Sequence, residues 1–142
     1  MASITRARLD VSSHSDHTET VTVSVTVAWS HFDRQHKDVP HLLRGYLVER
    51  EDELDFYAIS SGGKLERLRR GATDDRIMNT PFQQLQITPE GGEYYELTSR
   101  FDIGKYTRHG GKENLVAIVT LYPRDAPPDI AVTNQVDIDV NW

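Results

Sequence analysis

The sequence contains no cysteine. Disulfides, thiolate metal sites and a cysteine nucleophile are therefore excluded. Long apolar stretches are missing as well: runs such as Leu115 to Val119 fall far short of the roughly 20 residues a spanning helix needs, so no membrane association is expected. Met1-Ala2-Ser3-Ile4 leads straight to Arg6 and Arg8 with no apolar core of a secretory signal. The expectation is a cytoplasmic protein, secretion requiring a signal the chain no longer carries. The glycine pairs Gly62-Gly63, Gly91-Gly92 and Gly110-Gly111 lack the lysine and following helix of a phosphate-cradling loop and read as turns. Ser60-Ser61-Gly62-Gly63 lacks the strand-turn-helix setting of a nucleophile elbow.

Positive charge is the scarcer sign. Sixteen Lys and Arg stand against 22 Asp and Glu, a formal charge of −6 with histidines neutral. That balance disfavours nucleic acid and anionic membranes as partners. Lys64, Arg67, Arg69 and Arg70 run against it and make Arg67 and Arg70 candidate binding residues. Asp74 and Asp75 follow closely enough to neutralise the cluster in part.

What the chain does have is strict alternation. From Thr20 to Trp29, Val21, Val23, Val25, Val27 and Trp29 alternate with Thr20, Thr22, Ser24, Thr26 and Ala28. Successive side chains of a strand point to opposite faces, so this is a β-strand with one apolar and one hydroxyl-rich face. Valine and threonine also suit a pleated surface better than a helix. Ile4 to Val11 reads as a strand paired with it across a polar connection, Ser12 to Glu19. Leu42 to Ser60 reads as a hairpin turning at Glu49-Arg50-Glu51-Asp52-Glu53, Phe82 to Ile87 as a strand ending at Pro89-Glu90-Gly91-Gly92, and Glu93 to Ile103 as a second clean alternation. Leu115 to Leu121 is apolar on both parities and is expected to be a central strand buried on both sides. Ile130, Val132, Val136, Ile138, Val140 and Trp142 form one face of a last strand. Leu65 and Leu68 are spaced as one helical turn would place them, with Gly71 as its stop.

Seven or eight strands with regular turns and no long helix indicate a single domain, residues 1–142, made of two antiparallel sheets packed face to face. The expected fold is an all-β sandwich, immunoglobulin-like or related. A closed up-and-down barrel round a ligand cavity is the rival.

Three chemistries compete for a site. His31, Asp33 and His36, with His41 five residues on, are suitable ligands for a transition metal if the loop brings them together. Asp33 with Asp38, or Asp74 with Asp75, offers hard oxygens for calcium without the glycine and alternation of a helix-flanked calcium loop. The carboxylates Glu49, Glu51, Asp52, Glu53 and Asp55 crowd a hairpin tip, where nothing would raise the pKa a glycosidase acid needs. Tyr94 falls on the polar parity of its strand and could stack on a carbohydrate or peptide. The leading expectation is a non-catalytic module that recognises a protein partner or self-assembles through loops or an edge strand, Val140 and Trp142 lying on such an edge. No resident cofactor is expected. A metal-dependent enzyme and a small-ligand or carbohydrate-binding protein are the alternatives.

Overall fold

The computed structural model describes residues 2–14, 18–50, 56–59, 65–68, 81–101, 112–123 and 129–139. These form ten strands in two antiparallel sheets, one short helix and one 3-10 turn. Strands β1 (Ser3–Ser13), β2 (Glu19–Ala28) and β7 (Tyr94–Phe101) make a three-stranded sheet in the order β1-β2-β7. The larger sheet is built on β3 (His41–Arg50) and β8 (Lys112–Tyr122). Along the far side of β3 lie β6 (Gln83–Ile87), opposite residues 41–45, and β4 (Phe56–Ile59), opposite residues 47–50. Strand β5 (Leu65–Leu68) pairs with β4. Along the far side of β8 lie β10 (Val136–Asp139) and β9 (Asp129–Val132). Seven segments thus fill five strand positions, and the sheets do not close into a barrel. The two-sheet expectation holds, and the rival barrel is overturned.

The alternation in β2 becomes the core. Val21, Val23, Val25 and Val27 are completely buried, and they pack with Leu9 and Leu97 against Leu43, Leu47, Leu115, Ala117, Val119 and Leu121. Every residue of β8 from Leu115 to Leu121 is buried, as its apolar character on both parities requires. Gly45 of β3 lies beneath the Phe82 ring, and the Phe82 amide donates to the Gly45 carbonyl at 2.8 Å.

Three local expectations are corrected. Leu65 and Leu68 lie in β5, where Leu65 opposes Ile59 and Leu68 opposes Phe56, so a spacing of three marks no helical turn there. Part of the polar segment after Trp29 is helical, as α1 (His31–Gln35). The last segment is two strands rather than one. Between them the Thr133 amide donates to the Ala117 carbonyl and the Thr133 hydroxyl accepts from the Ala117 amide, both at 2.9 Å. One residue thereby serves both backbone groups of Ala117, and the chain changes face across it. Ile138 is buried in β10 whereas Ile130 and Val132 of β9 are exposed.

Side-chain amides cover both edges of the small sheet. Asn134 accepts from the Leu9 amide at 2.9 Å and donates to the Leu9 carbonyl at 3.1 Å, which imitates a strand partner for β1. Asp129 accepts from the Ile4 amide at 2.6 Å on the same edge. On the opposite edge Gln83 accepts from the Thr98 amide of β7 at 2.5 Å. Occupied edge groups oppose the addition of a foreign strand at those positions.

Candidate functional site

The site lies where β2 runs out at Trp29 and the chain turns into α1. Ser30 caps that helix. Its hydroxyl accepts from the Asp33 amide at 3.1 Å, while the Asp33 carboxylate accepts from the Ser30 amide at 3.0 Å and from the Ser30 hydroxyl at 2.7 Å. This reciprocal box satisfies the free donors of a helix start. Asp33 is thereby drawn inward and buried. Burial acts to raise its pKa, but the Ser30 hydroxyl and amide outweigh it and hold the carboxyl below its ordinary value of 3.8. A depressed carboxyl stabilises the fold fully above its unfolded pKa and loses that contribution as pH falls through the lower folded one. Asp33→Asn is therefore expected to cost about 1 kcal/mol in urea unfolding at pH 7, and the gap from the unsubstituted chain should shrink on acidification below pH 3.8. A gap that stays constant down to the acid transition would refute the assignment.

His41 begins β3 and is only 3% exposed. Its Nδ1 donates to the Val39 carbonyl at 3.3 Å, and its Nε2 lies 3.9 Å from Asp33 Oδ1. The ring stands edge-on to Trp29, with centroids 5.0 Å apart and planes at 77°. Trp29 in turn donates from Nε1 to the Gly92 carbonyl at 2.8 Å. The same carbonyl accepts the Tyr95 hydroxyl at 2.7 Å, so two side chains hold the peptide that follows the turn Pro89–Gly91 in place. Burial pushes the Tyr95 phenol above its ordinary pKa, so it remains a donor. Gly92 has φ of +96°, a conformation that favours glycine.

Between α1 and that turn a cleft of about 420 Å³ opens, lined by Trp29, Arg34, Lys37, Pro89, Glu90, Gly92 and Glu93. Its volume lies within the range of small-ligand sites. The indole and Pro89 supply apolar surface, and two cations and two carboxylates stand around them. Arg34 Nη2 reaches Glu93 Oε1 at 3.4 Å, with both side chains well exposed. An exposed pair of this kind contributes at most about 1 kcal/mol, so either charge can be given up to a ligand.

The four candidate metal ligands are not brought together. Asp33 and His41 meet at the helix base, but His31 Nε2 lies 3.1 Å from Gln35 Nε2, and His36 Nδ1 donates to the Phe32 carbonyl at 3.0 Å with its ring stacked on Phe32. The cause is the helix itself, which sends Asp33 inward and leaves His31 and His36 on its exposed side. Among the described residues no three His, Asp or Glu side chains are grouped as metal ligands would be. Tyr94 is 59% exposed on the outer face of the small sheet. Arg67 belongs to β5, but its side chain, like Arg70, Val140, Trp142, Asp74 and Asp75, lies outside the described residues. Sequence reading missed Arg34, Lys37, Pro89 and Glu93 as one site. The only available signal was that Trp29 ends an apolar face directly before a charged segment, with a Pro-Gly turn preceding another strand.

No family model matches this chain, and no curated protein matches it. Its backbone is similar to the crystal structure of a Bordetella pertussis protein assigned the name ApaA, over 98% of this chain and 91% of that one, at 14% identity and a TM-score of 0.41. It is also similar to the X-ray structure of the structural genomics target SoR45, over 98% and 84% of the two chains, at 10% identity and a TM-score of 0.36. Neither likeness bears on what this chain does.

Proposed function

We propose that this chain is a non-catalytic recognition module, an immunoglobulin-like sandwich that holds a peptide segment of a protein partner in the cleft between α1 and the turn before β7. The observation that carries the reading is the cleft itself. It has an aromatic floor fixed by the Trp29 to Gly92 bond and a rim on which Arg34, Lys37, Glu90 and Glu93 present both signs of charge. A fixed aromatic ringed by exposed charges is the usual make-up of an energetic centre in a protein contact. The amides of Asn134 and Gln83 on the edges of the small sheet favour the loop end over strand addition there.

Dodecapeptides selected from a display library against the intact chain, then titrated into ¹⁵N-labelled protein, test this. The expected result is saturable movement of the Trp29 indole and Gly92 amide signals, with binding at least tenfold weaker in an Arg34→Ala, Lys37→Ala double variant. Peptides that bind the double variant equally well, or leave the indole signal unmoved, would overturn the proposal.

A further inference from the structure

A second concave surface lies on the outer face of the small sheet, and it follows from the composition of β2. Thr20, Thr22, Ser24 and Thr26 are short, and opposite the last two the strands on either side present long side chains. Arg6 and Tyr94 flank Thr26, and Arg8 and Glu96 flank Ser24. Two small residues between long ones on either side leave a hollow. Its deepest part, about 280 Å³, is lined by Arg6, Arg8, Ser24, Thr26 and Tyr94. That is slightly under the range for drug-sized ligands and gives room for a single ring.

Three of the polar groups in this hollow are unspent. Among the described residues the Arg6 guanidinium and the Ser24 and Thr26 hydroxyls have no hydrogen-bond or ion-pair partner. Arg8 Nε lies 3.7 Å from Asp10 Oδ1, with both side chains 58% exposed, a contact easily exchanged. Tyr94 donates its hydroxyl to Glu96 Oε1 at 2.8 Å, which fixes the phenol at its tip and leaves the ring facing solvent beside the hydroxyls. In a chain of net charge −6, two arginines over a hydroxyl floor concentrate positive charge here, with Asp10 beside Arg8 and Glu96 beside Tyr94 as the neighbouring carboxylates.

Each part answers to one kind of ligand. Guanidinium forks match a planar carboxylate in two-point fashion. Serine and threonine hydroxyls both donate and accept, as sugar hydroxyls do. An exposed aromatic ring offers an apolar platform for the C–H face of a pyranose. We propose that the outer face of the three-stranded sheet carries a second binding site, which takes a carboxylate-bearing sugar unit in the hollow lined by Arg6, Arg8, Ser24, Thr26 and Tyr94.

Isothermal titration with trimers of galacturonate, trimers of mannuronate and hyaluronan tetrasaccharide tests this. Methyl-esterified galacturonate trimer serves as the neutral control of the same shape, and inorganic phosphate as the simple anion. At least one uronate is expected to bind saturably, at least tenfold more weakly as the neutral ester where that control applies, and at least tenfold more weakly to Arg6→Gln and to Tyr94→Ala. Both substituted side chains project from an outer face, and matching unfolding midpoints would show the fold intact. The Arg34→Ala, Lys37→Ala double variant should retain full uronate binding, which separates this site from the loop-end cleft. Binding by none of the three uronates, equal affinity for the Arg6 or Tyr94 variants, or displacement by phosphate at similar concentration would each overturn the assignment.

Discussion

Trp29→Ala is expected to lower stability to urea unfolding by about 3–5 kcal/mol, the range for emptying a large aromatic site in a packed core. Trp29 is 7% exposed and belongs to the central apolar cluster. Its ring is the edge-on neighbour of His41, and its Nε1 holds the turn before β7 through Gly92. Alanine would therefore leave a void next to a buried imidazole and release one of the two donors fixing that turn. Trp29→Phe separates the contributions. It keeps most of the apolar volume and loses the hydrogen bond, so about 1 kcal/mol is expected. A loss below about 1 kcal/mol for the alanine variant would mean that the indole merely lies on the core.

Gly45→Val is expected to destabilise by about 3 kcal/mol through overpacking. A Cβ at position 45 would lie 2.8 Å from Phe82 Cζ and 2.9 Å from Leu97 Cδ1, closer than carbon atoms approach without displacement. Neither neighbour can withdraw freely. Phe82 is tied by its own amide to the Gly45 carbonyl, and Leu97 is fully buried between the sheets. Urea midpoints for Gly45→Val and for a Gly45→Val, Phe82→Ala double variant would check the cause, because removing the ring should relieve part of the clash. Equal penalties in both would place the strain elsewhere.

The clean alternations were legible because burial on one face of a sheet imposes a period of two on the residues themselves. All four β2 valines lie where that rule puts them, and Leu115 to Leu121, apolar on both parities, is buried throughout as a strand covered on both faces must be. The rule is blind to a change of face that preserves parity. Ile130, Val132, Val136 and Ile138 share one parity, yet Thr133 takes both backbone groups of Ala117 and divides them between two environments. Glu19 shares the parity of the four valines and is completely buried opposite Phe101, but its charge makes it read as the end of a polar connection. His41 was illegible for another reason. Its burial depends on Trp29 and Asp33, partners brought to it by a cap and a strand end rather than by its own neighbours. The cleft was hidden in the same way, since it joins a strand end, a helix and a turn separated by about sixty residues, Trp29 to Gly92 being 63 apart in sequence.

The bond between Leu9 and Asn134 joins positions 125 residues apart. During synthesis, β1 and β2 leave the ribosome well before the side chain that covers the outer edge of β1 is made. At about 5–20 residues per second, the 125 residues between them take roughly 6–25 s. Throughout that interval the β1–β2 hairpin lacks the side chain that covers its outer edge at Leu9, and for the early part of it the four valines of β2 also lack β8 opposite them. Newly made chains are then most open to pairing with one another, a hazard of translation speed and of crowding along one messenger that the finished molecule, with its edge closed, no longer has.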